Sequence, residues 1–177
     1  MSISLHISMD TSKITALLES KIKKMADFSQ SMEAVGMYLQ KETDKHFKEA
    51  KEPDGSNWAP LADLTMFNRR EGPGKGGPTP LQDTGILKNS ISVCRVDAFS
   101  VQVGTNVPYA KYQQFGTKGP YTIKPKDKKA LKFNSPAGWI IRREVIHPGI
   151  PARPFLGINQ DNIEHCKRIV GGQIVGR

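Results

Sequence analysis

The stretch Pro53-Asp54-Gly55-Ser56-Asn57-Trp58-Ala59-Pro60-Leu61 separates a helical N-terminal part of the chain from a longer part built of short elements. Its first three residues favour a turn, because proline fixes φ, aspartate accepts hydrogen bonds from the backbone and glycine takes positive φ. Trp58 follows the turn, and a ring of that size contributes most to stability when it is buried. We therefore expect Trp58 to serve as a loop anchor, packed against the long helix that precedes it.

Upstream, hydrophobic spacing predicts one strand and an extended helical region. Residues 2–9 alternate apolar and polar side chains, the pattern of a half-buried strand. Apolar side chains then recur every three to four residues over 14–25 and again over 28–47, which marks one face of a helix. Asp27 or Ser29 interrupts the two stripes. The sequence therefore predicts one long bent helix, or two helices in tandem, ending near Ala50.

Downstream, turn residues divide the chain into short elements. Residues 65–80 are rich in glycine and proline and are predicted to form a flexible loop. The other predicted elements are a helical turn at 61–70, a short helix at 85–89 capped by Asp83 or Thr84, a hairpin of 90–96 with 100–104, a short helix at 109–115, a strand pair of 128–133 with 139–145, and a terminal helix at 155–169. Together they predict a single α+β domain over residues 1–177, in which a mostly antiparallel sheet packs against the long N-terminal helix and the C-terminal helix.

The chain is strongly basic. Its formal net charge is +9 and its pI is about 9.6, a balance that favours acidic partners such as nucleic acid, an anionic membrane or an acidic protein surface. Much of the charge lies in one segment, near Tyr121, that contains Lys118, Lys124, Lys126, Lys128, Lys129, Lys132, Arg142 and Arg143. Two interpretations stay open for this segment: a solvated edge that blocks unwanted strand pairing, and a patch that contacts the phosphates of DNA or an acidic protein.

The sequence offers little support for catalysis. The four histidines lack metal-ligand spacing and are expected to be surface or locally bonded residues. The glycine-rich segment 72–77 lacks the spacing of a phosphate-binding loop, and no Gly-x-Ser-x-Gly motif is present. Cys94 and Cys166 are predicted to be reduced, buried thiols of a cytoplasmic protein. We therefore predict a protein that is not an enzyme, that uses no cofactor or metal, and that has no signal peptide or membrane span.

Further short strings around glycine or proline follow the first one in a fixed order. They are Leu81-Gln82-Asp83-Thr84-Gly85-Ile86-Leu87, Val103-Gly104 before Tyr109-Ala110, Gln114-Phe115-Gly116, and Ile150-Pro151-Ala152-Arg153-Pro154-Phe155-Leu156-Gly157. In this order they resemble the virion-morphogenesis or tail-completion proteins of tailed bacteriophages and prophages, whose distant relatives include neck and tail-terminator proteins. The resemblance covers roughly residues 28–170, and the lysine-rich segment 116–148 departs from it.

The resemblance implies a tail-terminator-like fold and a structural role at the junction between phage head and tail. Relatives form closed rings, commonly hexamers, that cap the completed tail tube and join it to the head. Such a protein would work in the bacterial host cytoplasm during assembly and at the head–tail junction of the finished virion. Its partners would be further copies of itself, tail-tube proteins and head-connector proteins, with contact to packaged DNA left open and no membrane partner.

A ring needs two different contact patches on each subunit, because one patch of each subunit meets another patch of its neighbour. The expected interface residues are Tyr109, Gln114, Phe115, Arg153, Pro154 and Phe155. Arg153 and Phe155 are expected to project from the subunit, since the flanking prolines pre-set the backbone for a partner. A basic nucleic-acid-binding protein is the alternative from another class, and an unrecognised enzyme is a third.

Overall fold

The computed structural model describes residues 12–67, 78–135 and 137–175. Two helices in tandem open this part, α1 (Ser12–Ala26) and α2 (Ser29–Glu49), so the tandem alternative is the correct one. The break lies at Asp27, whose carboxylate accepts a hydrogen bond of 2.7 Å from the backbone nitrogen of Ser29. Residue Ala50, with φ of 55°, ends α2 in a left-handed conformation. The strand predicted at 2–9 lies outside the described residues.

The loop after α2 contains the expected turn. The Asp54 carboxylate accepts hydrogen bonds from the backbone nitrogen and the hydroxyl of Ser56, at 2.9 and 2.6 Å. The predicted helical turn is the short helix α3 (Asp63–Phe67), and the next described helix is α4 (Ile86–Asn89). Residues 68–77, most of the predicted flexible loop, lie outside the described part of the chain.

Six short strands and a short helix follow. They are β1 (Ser92–Val96), β2 (Val101–Gly104), α5 (Ala110–Phe115), β3 (Tyr121–Ile123), β4 (Leu131–Ser135), β5 (Gly138–Arg142) and β6 (Val145–His147). Within the described residues they form three separate antiparallel pairs, β1 with β2, β3 with β6, and β4 with β5. The α+β class is confirmed, but the strands do not join into one sheet. The pairing of β3 with β6 was not predicted. Along the chain, the β4–β5 pair lies between these two strands.

The last helix, α6 (Gln160–Val175), begins later than predicted and continues through Gly171 and Gly172, beyond the predicted end at residue 169. Its start is fixed by a reciprocal cap. The Asn159 side chain accepts from the backbone nitrogen of Asn162 at 2.8 Å, and the Asn162 side chain accepts from the backbone nitrogen of Asn159 at 3.0 Å. Each amide thus satisfies a backbone donor of the first turn that has no partner inside the helix.

Helix α2 is the centre of the packing. The β1–β2 hairpin lies against it at Gly36, where an added Cβ would come within 2.7 Å of a methyl of Val101. Helix α6 also packs on α2, where buried Asn162 donates to the Tyr38 hydroxyl at 2.9 Å. Helix α1 touches α6, and much of its apolar stripe, including Leu17 and Ile22, is exposed.

The hydrophobic core gathers at the C-terminal end of α2. Its buried members are Phe47, Trp58, Leu87, Ile91, Ala110 and Phe155. They come from five different parts of the chain, so the core holds the short elements together more than any strand pairing does.

Candidate functional site

The family-like strings meet one another inside the molecule, at what we call the motif junction (residues 58–60, 113–116 and 153–156). The Trp58 indole nitrogen donates to the carbonyl of Pro154 at 2.7 Å. In return, the Arg153 guanidinium donates to the carbonyls of Ala59 and Pro60, at 2.7 and 2.8 Å. Two strings that are about ninety residues apart in sequence therefore hold each other through side chain to backbone bonds.

Helix α5 is bound to the same segment. The Gln114 side chain accepts from the backbone nitrogens of Phe155 and Leu156, at 3.0 Å each, and donates to the carbonyl of Leu156 at 2.7 Å. The backbone nitrogen of Arg153 donates to the carbonyl of Gln113 at 2.7 Å. One glutamine thus satisfies three backbone groups of residues 155 and 156 and ties α5 to this segment.

The Phe155 ring fills the core below this junction. It is fully buried, and its centroid lies 5.3 Å from that of Phe47. The carbonyl of Phe155 accepts a 3.1 Å bond from Nδ1 of His46, so that nitrogen carries the proton. His46 is buried and bonded to a distant residue, which corrects the expectation of a surface or locally bonded histidine. The Gln82 side chain donates to the carbonyl of Phe47, so the Leu81–Leu87 string joins the same core.

These contacts correct one prediction. The expectation that Arg153 and Phe155 project outward is wrong, since Arg153 is 5% exposed and Phe155 is fully buried. Pro154 is only partly exposed and carries the carbonyl that Trp58 binds. The ring of Trp58 is buried, edge-on to Phe47 of α2 at 5.5 Å, as a loop anchor requires. Gln114 is also directed inward, so this part of the predicted interface holds the subunit together.

The outer side of α5 is a different kind of surface. Tyr109, Tyr112 and Phe115 are all exposed, and Phe115 is 79% exposed. We call these three residues the α5 surface. The helix ends at Gly116, which fixes the backbone there. Gly116 has a φ of 70°, and an added Cβ would lie 2.7 Å from the Ile150 carbonyl oxygen, so only glycine fits this position. A rigidly held aromatic surface of this kind is typical of protein contacts.

A second exposed feature is the segment 117–149, which we call the arm. Its two ends are joined at the base, where the Thr117 nitrogen donates to the Ile150 carbonyl at 2.9 Å and the Ile150 nitrogen donates to the Thr117 hydroxyl at 2.8 Å. The β3–β6 pair follows the base, and the β4–β5 pair lies further along the arm. Most side chains of these strands are exposed or only partly covered.

The arm brings the predicted basic residues together. It contains eight Lys and Arg residues against two Asp and Glu residues, and so contributes +6 of the chain's +9. Lys124 pairs with Glu144 at 3.5 Å, and Lys132 lies 4.4 Å from the centre of the Trp139 ring. Sequence reasoning missed the apolar part of the arm: Trp139 is 66% exposed, and Ile141 and Ile146 are mostly exposed as well. The signal was present, because Trp139, Ile140 and Ile141 are consecutive apolar residues in one strand and so place apolar side chains on both of its faces.

The described residues offer no cluster of metal ligands. They contain no group of three or more His, Cys, Asp or Glu side chains that would hold a metal ion. Cys94 is exposed, which corrects the prediction that both thiols are buried. Partial burial raises the pKa of the Cys166 thiol, which keeps it in the less reactive protonated form. No described helix has the length and apolar character needed to cross a membrane.

A comparison with known families agrees with the order of the strings. The model of the phage virion morphogenesis family matches residues 9–174, nearly the whole chain. The chain belongs to this family. No curated protein and no solved structure matches it. Membership makes this chain a protein of phage particle assembly.

Proposed function

We propose that this protein completes the phage tail: subunits assemble into a ring, a hexamer by the resemblance, that caps the tail tube and joins it to the head. The observation that carries the proposal is the α5 surface, three exposed aromatic side chains on a helix that the motif junction holds rigidly. Aromatic side chains bury a large area at little conformational cost, so they suit a contact that forms only during assembly.

The contrast between the two sides of α5 supports this role. Gln114 and Ala110 face inward and are used for folding, whereas Tyr109 and Phe115 face outward. Exposed aromatic rings on a well-ordered element indicate a surface that a partner covers. The partner would be a neighbouring subunit, the tail-tube protein or the head connector. The protein would then be free in the host cytoplasm before assembly and part of the head–tail junction afterwards.

The function is tested by deleting the gene from the phage or prophage that encodes it. We expect induced cells to produce full heads and separate tails under the electron microscope, with infectious particles restored when the wild-type gene is supplied in trans. Normal yields of joined, infectious particles from the deletion strain would overturn the proposal. Short or absent tails would place the protein at an earlier step of tail assembly.

A second candidate function, binding to nucleic acid, is favoured by the +6 charge of the arm. A purified protein that serves this function would retain duplex DNA, and the affinity would fall steeply as salt rises, because counterions are released on binding. This role is excluded if the protein retains no duplex DNA, or if it retains DNA equally well at low and high salt.

A further inference from the structure

The arm exposes large apolar side chains on short strand pairs. Two-stranded ribbons are marginally stable in water unless a hydrophobic face is covered. In the β4–β5 pair, Trp139 and Ile141 lie on one face beside Lys132, and that face is exposed. Ile146 of the β3–β6 pair is also largely exposed. The arm therefore presents apolar side chains that a partner would cover.

The charges of the arm define the chemistry of that partner. Among the described basic side chains of the arm, Lys124 alone takes part in an ion pair. Lys126, Lys128 and Lys129 lie exposed in the connection between β3 and β4. A partner that covers this surface must therefore combine apolar area with carboxylates. The exposed apolar side chains argue against DNA, because a phosphate backbone would leave them uncovered.

The chain itself contains a surface of this composition, which we call the Ile158 surface (Glu52, Asp54, Ile158 and Asp161). Ile158 is 58% exposed. The turn that carries Glu52 and Asp54 lies beside Ile158. Gly157 packs directly on Pro53 of this turn, and the Asn159 side chain donates to the Pro53 carbonyl at 3.1 Å. Asp161 adds a third carboxylate in the first turn of α6.

The Ile158 surface is also electrostatically unpaired. None of its carboxylates forms an ion pair with another described residue. Hydrogen bonds from Ser56 lower the pKa of Asp54, so it remains charged well below neutral pH. The surface thus offers an exposed aliphatic side chain near carboxylates, opposite in charge to the arm.

We propose that the arm of one subunit docks on the Ile158 surface of a second copy of this chain. The inference rests on the proposed function and specifies the contact that builds the ring. The two surfaces are different and lie on the same chain, so each subunit receives one arm and supplies another. Such a head-to-tail contact generates a closed ring when the rotation between subunits closes.

Charge reversal tests the contact. One variant carries Lys128→Glu and Lys129→Glu in the arm, and the other carries Glu52→Lys and Asp161→Lys at the Ile158 surface. Native mass spectrometry should show that each variant alone loses at least about tenfold in assembly, because like charges then face each other. Mixing the two variants should restore an assembly of more than two subunits that contains both, since every contact again joins opposite charges.

A matched control carries Lys13→Glu and Lys23→Glu, two exposed lysines of α1 outside both surfaces, and should assemble like the wild type. Wild-type assembly by both test variants would overturn the inference. The inference would also be overturned if the arm variant formed normal rings but no longer bound duplex DNA or tail tubes, because the arm would then serve another partner. The ring itself would be overturned if the wild-type chain were monomeric in solution and crosslinking of purified virions also yielded only monomers. The gene deletion tests the head–tail role separately.

Discussion

Trp58 contributes to the fold through both its ring and its indole nitrogen. The ring packs on Phe47, and the nitrogen binds the Pro154 carbonyl. Replacing Trp58 by alanine should lower the free energy of unfolding by about 3–5 kcal/mol, the range for deleting a large buried aromatic side chain. Chemical denaturation followed by circular dichroism measures the loss. The other tryptophan is a matched control, because Trp139 is mostly exposed and its replacement should cost less than about 0.5 kcal/mol.

Arg153 combines a buried charge with a fixed geometry. Its guanidinium reaches two adjacent carbonyls, of Ala59 and Pro60, through two different nitrogens. A lysine ammonium is a compact charge that lacks this planar fork. We expect Arg153→Lys to lower the free energy of unfolding by about 1.5–3 kcal/mol, the range for a hydrogen bond that involves a charged group. An unchanged denaturation midpoint would mean that the loop is held in another way.

The sequence did not reveal whether the side chains of Arg153 and Phe155 point into the subunit or out of it. An arginine and a phenylalanine between prolines have the composition of an interface as well as that of a core. What decides between the two is the pair of carbonyls at residues 59 and 60, which become partners of Arg153 only when a distant loop folds over it. Trp58 was easier to place, because a ring of its size has few alternatives to burial in a loop of small and polar residues.

At the scale of elements, two helical glycines test how closely α2 is packed. At Gly36 an added Cβ would lie 2.7 Å from Val101 and 3.0 Å from Val93, whereas at Gly171 of α6 it would meet no atom within 4 Å. We expect Gly36→Ala to destabilise the protein by about 1–2 kcal/mol through overpacking. Gly171→Ala should instead stabilise by up to about 1 kcal/mol, because alanine favours a helix. Equal effects in thermal denaturation would contradict the packing of the hairpin on α2.

Elements with local signals were predicted well. The β1–β2 hairpin has alternating side chains and a turn at Asp97, which donates its backbone nitrogen to the Ser100 carbonyl at 2.8 Å. The pairing of β3 with β6 had no such signal, because two three-residue strands meet across the whole length of the arm. The late start of α6 depends on the reciprocal Asn159–Asn162 cap, which lies beyond the predicted start at residue 155.

At the scale of the whole molecule, the charge is unevenly distributed. The arm carries +6, and the remaining residues together carry only +3. Two copies repel each other through their net charge of +9, so a contact between them depends on local pairing of the basic arm with carboxylates of the body. The lysine cluster was evident in the sequence, but its union with exposed apolar side chains on one projecting segment required the structure.

The α5 surface provides the last prediction, which separates assembly from folding. Phe115 is the most exposed large apolar side chain among the described residues, so Phe115→Ser should change the melting temperature by no more than a few degrees. If a partner covers this ring, the same variant should fail to restore infectious particles to the deletion strain, and heads and tails should remain separate. The control is Ile86→Ser, which removes an exposed apolar side chain from α4 and should complement fully. Full complementation by Phe115→Ser would place the partner contact elsewhere, whereas unfolding of the variant would show that Phe115 serves the fold.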